Sequence, residues 1–495
     1  MPRQELLPMA VKRLVFCFDG TWNRLDATTP TNVVITAESV VPTAKDGTAQ
    51  LIWYDQGVGT GKADRWTGGL LGAGVEPIMA DAYRALIFNY TPGDDIYVFG
   101  FSRGAYTARS FVGLLRNCGI VRRVDARRAA EAVRLYRSRS RDMSPDALRM
   151  NQFRAEVSPD ICVSQTEDQW RAETLDRYEL GLRPILNICY LGVWDTVGAL
   201  GVPSNFPWSR WVNRKYEFHD TVLTPRVRSA RHAVAIDERR QSFAPSLWDN
   251  LDTMNELRGT TSAAADAPYQ QKWFPGTHGS VGGGGDRRGL SDQALDWVWD
   301  GARAAGLELD TSLDSRVWQL APSAREALVN MRERQKGALA KLMRWLPEAD
   351  RRPGPQTLHE LSVSAKRRWH EAKRDLPERR RYRPPTLGDV AGALDRLDPK
   401  ELGITLANDG VASVGFTLHE VQRGETLASI AVHYYGDAAR YRAIYDANRN
   451  KLSDPSRVYC GQMLRIPDPP ASAVAPPPPA EIEGAAMDGD EGASA

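Results

Sequence analysis

A chain of 495 residues is longer than one hydrophobic core usually organises, so two or three units are expected, one of them with a large interior. Its 64 Lys and Arg against 62 Asp and Glu leave a net charge of +2, which excludes a generally basic nucleic-acid binder and leaves partner choice to local patches. Cys17, Cys118, Cys162, Cys189 and Cys460 are scattered without CxxC or Cys/His spacing, so neither a disulfide framework nor a structural metal is expected, and no cofactor is predicted.

Residues 1–10 read as an N-terminal extension. The apolar run at 14–18 is too short for the core of a signal peptide, and no segment approaches the length of a membrane span. The expectation is synthesis in the cytoplasm without a leader. Any role outside, such as delivery to the periplasm of a target cell, would then use a leaderless route.

Apolar runs at 13–18, 95–99, 185–194, 233–236 and 271–274 read as strands, with helical patterns between several of them. That alternation predicts an α/β fold, a mostly parallel sheet with helices on both faces. Ligands of such sheets bind beyond the carboxyl ends of the strands. A polar or special residue stands at each predicted end: Asp19-Gly20-Thr21, Ser102, Asp195, Asp237 and His278.

Between these runs, residues 117–182 form a charged, Arg-rich, helical insertion, and residues 198–218 a loop rich in Pro and Trp, with Trp208 and Trp211; both are candidates to cap a site. The four glycines at 282–285 predict a turn that lets His278 approach Ser102. Helical patterns follow at 291–306 and 323–345, interrupted by Arg351-Arg352-Pro353-Gly354-Pro355. The basic stretch at 365–383 reads as a solvated helix face, with a patch for anionic lipid or a partner as the rival reading. Residues 388–416 read as a linker, and 469–495 as a disordered Pro/Ala-rich acidic tail.

The chemistry centres on Gly100-Phe101-Ser102-Arg103-Gly104, which lies between an apolar run and a helix-compatible segment. That is the setting of a nucleophile elbow, a strand-to-helix turn that exposes a serine hydroxyl. A serine needs a base to take its proton and an acid to orient the base. His278, in a flexible loop after the last strand, is the expected base. Asp195 and Asp237 are both at strand ends and both give the chain order Ser, Asp, His. Apolar flanks favour Asp195, and Asp237 remains the alternative. The backbone N–H of Arg103, with that of Gly20 or Thr21, would form the oxyanion hole, although an ordinary Asx turn also accounts for 19–23.

Taken together, the segments Phe16 to Asn23, Gly57-Val58-Gly59-Thr60, Gly100 to Ala105, Val193 to Gly198 and Trp273 to His278 resemble the bacterial α/β-hydrolase family that includes the type VI secretion phospholipase effectors of the first lipase class. The resemblance covers about residues 11–387. It implies a catalytic triad of Ser102, Asp195 and His278. Further along, His419 to Leu427, Ile444 to Asn448 and Gly461 to Pro467 resemble a LysM domain over 417–468. That implies a small strand-helix-helix-strand unit binding N-acetylglucosamine-containing glycans, with Gly424, Glu425, Thr426, Leu427 and Asn448 as candidate contacts. LysM-like units also serve as docking parts of secretion machines, and Cys460 stands where proline is common.

The resulting expectation is a serine esterase of the phospholipase A type, acting through an acyl-Ser102 intermediate as an antibacterial effector. Its partners would be a phospholipid, peptidoglycan, components of a secretion machine and an immunity protein, with no nucleic acid. The alternatives are a wall- or machine-binding protein on a non-catalytic hydrolase scaffold, and an esterase acting on wall polysaccharide.

Overall fold

Near-continuous apolar runs need cover on both faces, and in the computed structural model of the protein they form one parallel sheet. The structure describes residues 11–20, 28–57, 75–138, 140–198, 222–312, 315–329, 348–398, 416–422, 424–448, 452, 455, 458 and 463–467. The chain divides into two compact units, residues 1–412 and 413–495.

In the first unit the strands are β1 (Arg13–Phe18), β2 (Gln50–Asp55), β3 (Asp95–Phe101), β4 (Ile188–Trp194), β5 (Val227–Ala235) and β6 (Tyr269–Phe274). They lie in the order β2-β1-β3-β4-β5-β6. β4 is buried along its whole length. β2 was not predicted, and its pattern explains why: as an edge strand it leaves Leu51 and Ile52 exposed, so it lacks the apolar continuity of the inner strands. The chain leaves β1 towards β2 on one side and takes up β3 on the other. This makes a topological switch point where Phe18 and Gly100 are register partners, the position at which open α/β sheets form their sites.

Helices α1 (Asn32–Ser39), α2 (Val75–Asn89) and α3 (Arg103–Cys118) cover the sheet. α3 is buried almost throughout, with Phe111 against Phe16 and Phe18. The predicted insertion is helical: α4 (Ala129–Arg137), α5 (Leu148–Val157) and α6 (Gln165–Thr174). It is pinned by a buried Arg-Glu-Arg group. Arg154 Nε donates to Glu167 at 2.9 Å, Arg171 pairs with the same carboxylate, and the N–H of Val163 donates to it at 2.9 Å. Removing one member would strand a buried charge at about 3–5 kcal/mol. After β6 come α7 (His278–Gly282), α8 (Gly289–Ala304) and α9 (Val363–His370).

Three readings of the segment after α8 change. The basic stretch is helical only over α9, and within it Arg368 is fully buried, donating to the carbonyls of Ala324 and Glu326 at 2.6 Å each and to Glu378 at 2.7 Å. It is a structural tie, not part of a solvated face. The connector also begins later than residue 388, since Val390 and Leu394 are buried with Trp273 and Trp369. The predicted helix at 323–345 is not helical over 323–329, and the rest lies outside the described residues, as do the Trp208/Trp211 loop and the tail. The described cysteines, Cys17, Cys118, Cys162 and Cys189, are free and buried. Among the described residues no helix is long and apolar enough to cross a membrane.

The second unit has β7 (Phe416–Glu420) and β8 (Met463–Pro467) as an antiparallel pair, with α10 (Leu427–Tyr435) and α11 (Tyr441–Ala447) between them in sequence. Thr426 caps α10 through a reciprocal pair with Ser429, and Gly436 ends it in the left-handed conformation. Val421, Leu427, Ile430, Ile444, Leu464 and Ile466 form its core.

Candidate active site

The elbow has the geometry its glycines require. Ser102 has φ 59° and ψ −124°, a strained conformation for a side-chain-bearing residue, held by its own N–H to the Trp194 carbonyl at 3.1 Å and by the N–H of Val197 to its carbonyl at 3.4 Å. The strand meets the helix so closely that a Cβ on Gly100 would lie 2.6 Å from the Gly104 carbonyl oxygen. One on Gly104 would lie 2.2 Å from that of Phe18. Both contacts are with backbone, which cannot step aside, so the two glycines are obligatory here.

β6 ends at Phe274, three residues separate it from His278, and α7 begins on that histidine, placing its ring against the elbow. His278 Nε2 is 2.8 Å from Ser102 Oγ and Nδ1 is 2.6 Å from Asp195 Oδ2. All three are buried, Asp195 completely. An ionised carboxylate can only accept, so Nδ1 carries the proton and Nε2 is left to accept from the serine hydroxyl. The rings of Phe101 and Phe243, 4.6 and 4.7 Å from the imidazole, hold it in place. Gly283 and Gly284, both with positive φ, follow α7 and turn the chain within the four-glycine run after His278.

Asp195 also binds a residue that the sequence reading treated only as a helix interruption. Arg351 donates from Nη1 to Oδ1 at 2.5 Å and from Nη2 to Oδ2 at 2.9 Å, and the N–H of Ala235 donates to Oδ1 at 2.9 Å. Burial raises the Asp195 carboxyl, but the charge of Arg351 and the hydrogen bonds from His278 and Arg351 outweigh it and hold the group well below the usual carboxylate range. No local motif points to Arg351, which lies far from the other three in sequence. Beside it, buried His232 accepts the N–H of Thr196 at 3.1 Å, and burial pushes its pKa down to about 3, so it is neutral.

Asp237 is not in this chain of hydrogen bonds. Its Oδ2 accepts from the N–H of Gly276 at 2.7 Å and from the Tyr382 hydroxyl at 2.8 Å. Burial pushes its pKa up to about 6. It lines a cavity of about 550 Å³ shared with Arg380, Arg381 and Tyr382. The alternative acid is therefore a structural tie. Gly20, the expected second oxyanion donor, gives its N–H to Asp19 Oδ1 at 2.6 Å, which commits that amide elsewhere; Thr21 lies outside the described residues. Arg103 opens α3, so its backbone N–H lies in the first turn of that helix.

In the second unit, Gly424 and Thr426 are exposed and Glu425 is half-buried, accepting from the N–H of Gln422 and pairing with His419, each at 2.7 Å. Leu427 and Asn448 are buried. Asn448 donates to the carbonyls of Ile444 and Arg465, at 2.6 and 2.8 Å, and accepts the N–H of Arg465 at 2.9 Å. Its polar groups tie α11 to β8, so it holds the fold and does not face a glycan.

Residues 12–301 match the family described as T6SS, Phospholipase effector Tle1-like, catalytic domain, and residues 419–467 match the LysM domain. An uncharacterized protein of Saccharomyces cerevisiae is 25% identical over 247 residues, 47% of this chain and 32% of its own length, so the chain spans about a third of that curated relative. Two solved structures align more weakly. An uncharacterized protein from Pseudomonas aeruginosa is 16% identical with a TM-score of 0.37, covering 91% of this chain and 75% of its own. The Tle1 effector bound to the VgrG spike is 14% identical with a TM-score of 0.33, covering 64% of this chain and 77% of its own.

Proposed function

The chain belongs to the Tle1-like family of type VI secretion phospholipase effectors and carries a LysM domain, and from that premise we propose that it is a serine hydrolase that cleaves the acyl ester of a phospholipid, in the manner of a phospholipase A, through an acyl-Ser102 intermediate. The observation that carries the proposal is the buried hydrogen-bonded series Ser102, His278, Asp195 on a strained strand-to-helix turn.

His278 Nε2 takes the serine proton as Oγ attacks the ester carbonyl. The imidazolium that forms is stabilised by Asp195, and the negative oxygen by the N–H of Arg103 at the positive end of α3. His278 then protonates the departing alcohol. In the second half, it takes a proton from water, the resulting hydroxide releases the fatty acid, and Ser102 regains its proton.

The LysM unit would hold the enzyme at N-acetylglucosamine-containing wall glycan, close to the bilayer it attacks. This reading makes the periplasm of a recipient cell the site of action, with secretion-machine components and an immunity protein as partners. The test is release of fatty acid from phospholipid vesicles by the wild-type chain and by Ser102→Ala. A loss of at least about 10³-fold in Ser102→Ala is expected. Equal release, or equal toxicity in a recipient periplasm, would favour the non-catalytic scaffold; release of acetate from acetylated peptidoglycan without fatty acid would favour a wall esterase.

A further inference from the structure

We propose that Arg351 is a positioning residue of the active site, a fourth member that fixes the Asp195 carboxylate and sets the pH range over which His278 works as a base. The proposal rests on the reading of Ser102, His278 and Asp195 as a triad. It brings a residue beyond the family-matched span, 12–301, into that site.

Asp195 needs holding. Its φ of 38° is left-handed, which an L-residue adopts only at a cost, and it follows directly on a strand whose partner at that end, Ala233, accepts its N–H at 2.7 Å. The Arg351 guanidinium meets both carboxylate oxygens and also donates to the carbonyls of Ala235 at 2.9 Å and Phe243 at 2.7 Å. Four contacts on one planar group fix its plane, and the carboxylate with it. A lysine offers one point charge and cannot reproduce the fork. The same guanidinium connects three segments: Ala235 at the end of β5, Phe243 in the short 3-10 helix that flanks the His278 ring, and Asp195 directly after β4.

There is also an electrostatic consequence. Oδ2 of Asp195 is shared between His278 Nδ1 and Arg351 Nη2. A carboxylate already facing a buried cation stabilises an imidazolium less than a lone carboxylate would, so Arg351 lowers the proton affinity of the pair as a whole. Among the described residues the other charged and titratable groups around the pair are few. Glu238 accepts the backbone N–H of His278 at 3.2 Å and is neutralised by Arg240 at 2.6 Å. His232 is neutral, and Arg109 is the further cation on that side. None of these bridges both Asp195 oxygens.

The test compares Arg351→Lys, Arg351→Met and Arg351→Ala in the full chain. Met and Lys are expected to lower kcat about 10- to 100-fold with KM changed less than about threefold, the pattern of an interaction felt in the transition state. In Arg351→Met the acid limb of kcat/KM is expected to move up by about one pH unit, because removing an adjacent cation raises the proton affinity of the pair wherever the proton resides. Millimolar guanidinium should restore rate and acid limb to Arg351→Ala, which a merely structural loss would not allow. The low-field Nδ1 proton of His278, followed by NMR against pH in Ser102→Ala and in Ser102→Ala/Arg351→Met, reads the same shift without any turnover. An unmoved midpoint, or an unmoved acid limb in a folded Arg351→Met, overturns the proposal. A moved midpoint in a chain that cleaves no ester overturns the enzymatic reading and leaves the assignment of Arg351 standing. Should Met and Ala fail to fold, Arg351→Lys decides by its melting curve and rate together: native melting with native kcat overturns the proposal, and native melting with lowered kcat supports it.

Discussion

Two aspartates stand at the carboxyl ends of adjacent strands, Asp195 after β4 and Asp237 just beyond β5, and the protein treats them in opposite ways. Asp195 is completely buried yet held ionised, because Arg351 and His278 supply charge and directed donors. Among the described residues Asp237 is offered the neutral donors Gly276 N–H and Tyr382 O–H, and burial raises its pKa to about 6. Strand-end position and burial are common to both. The partner's charge decides which carboxylate can stabilise an imidazolium and which serves to tie a loop.

The largest expected effect is on turnover. Asp195→Asn should lower kcat by about 10³- to 10⁴-fold, because an amide can present its NH2 to Nδ1 and favour the wrong tautomer, while Asp237→Asn should stay within about fivefold of wild type. Steady-state rates on a soluble ester check this, and a comparable loss in both variants would break the contrast. Next in size is Tyr382→Phe, which leaves Asp237 with one donor. It should cost about 1–2 kcal/mol in urea unfolding and leave the pH profile of kcat/KM in place. A shifted profile would mean that Asp237 communicates with His278.

The smallest effect sharpens the comparison by its sign. The pKa of Asp237 is higher in the folded than in the unfolded chain, so between about pH 4 and 6 the folded state holds the extra proton. Stability from this group therefore falls as pH rises through that window, by roughly 1–2 kcal/mol. Asp195, with its folded pKa lowered, works the other way: its contribution is present above the ordinary carboxylate range and is lost as pH falls towards the folded value. Thermal melts of Asp237→Asn from pH 2 to 7 should flatten the first trend and keep the second, which lies below about pH 4; an unchanged slope between about pH 4 and 6 would mean that Asp237 titrates normally.

Much of the site could be read from local sequence because its parts sit where a strand ends. Ser102 is marked by glycines at fixed offsets, and the close backbone approaches at Gly100 and Gly104 give the reason only glycine serves. Asp195 and His278 also follow apolar runs. β2 was not legible, because an edge strand with one exposed side lacks the pattern of a buried one. Arg368 was read as a solvated cation, since a basic run looks the same whether its guanidinium meets water or the buried carbonyls of Ala324 and Glu326. Asn448 was legible as a feature of the LysM pattern but not as a core tie, because the pattern does not distinguish a residue that binds from one that holds the binding loops.

By itself the sequence determined the α/β class, the elbow, the base and two candidate acids, because period, glycine spacing and chain order are local properties of the chain. Tertiary structure alone decided between Asp195 and Asp237, committed the Gly20 amide to Asp19, and brought Arg351 from a Pro-Gly interruption onto the acid. Such choices depend on which charge lies within about 3 Å of which oxygen, a distance set by the packing of segments far apart in sequence.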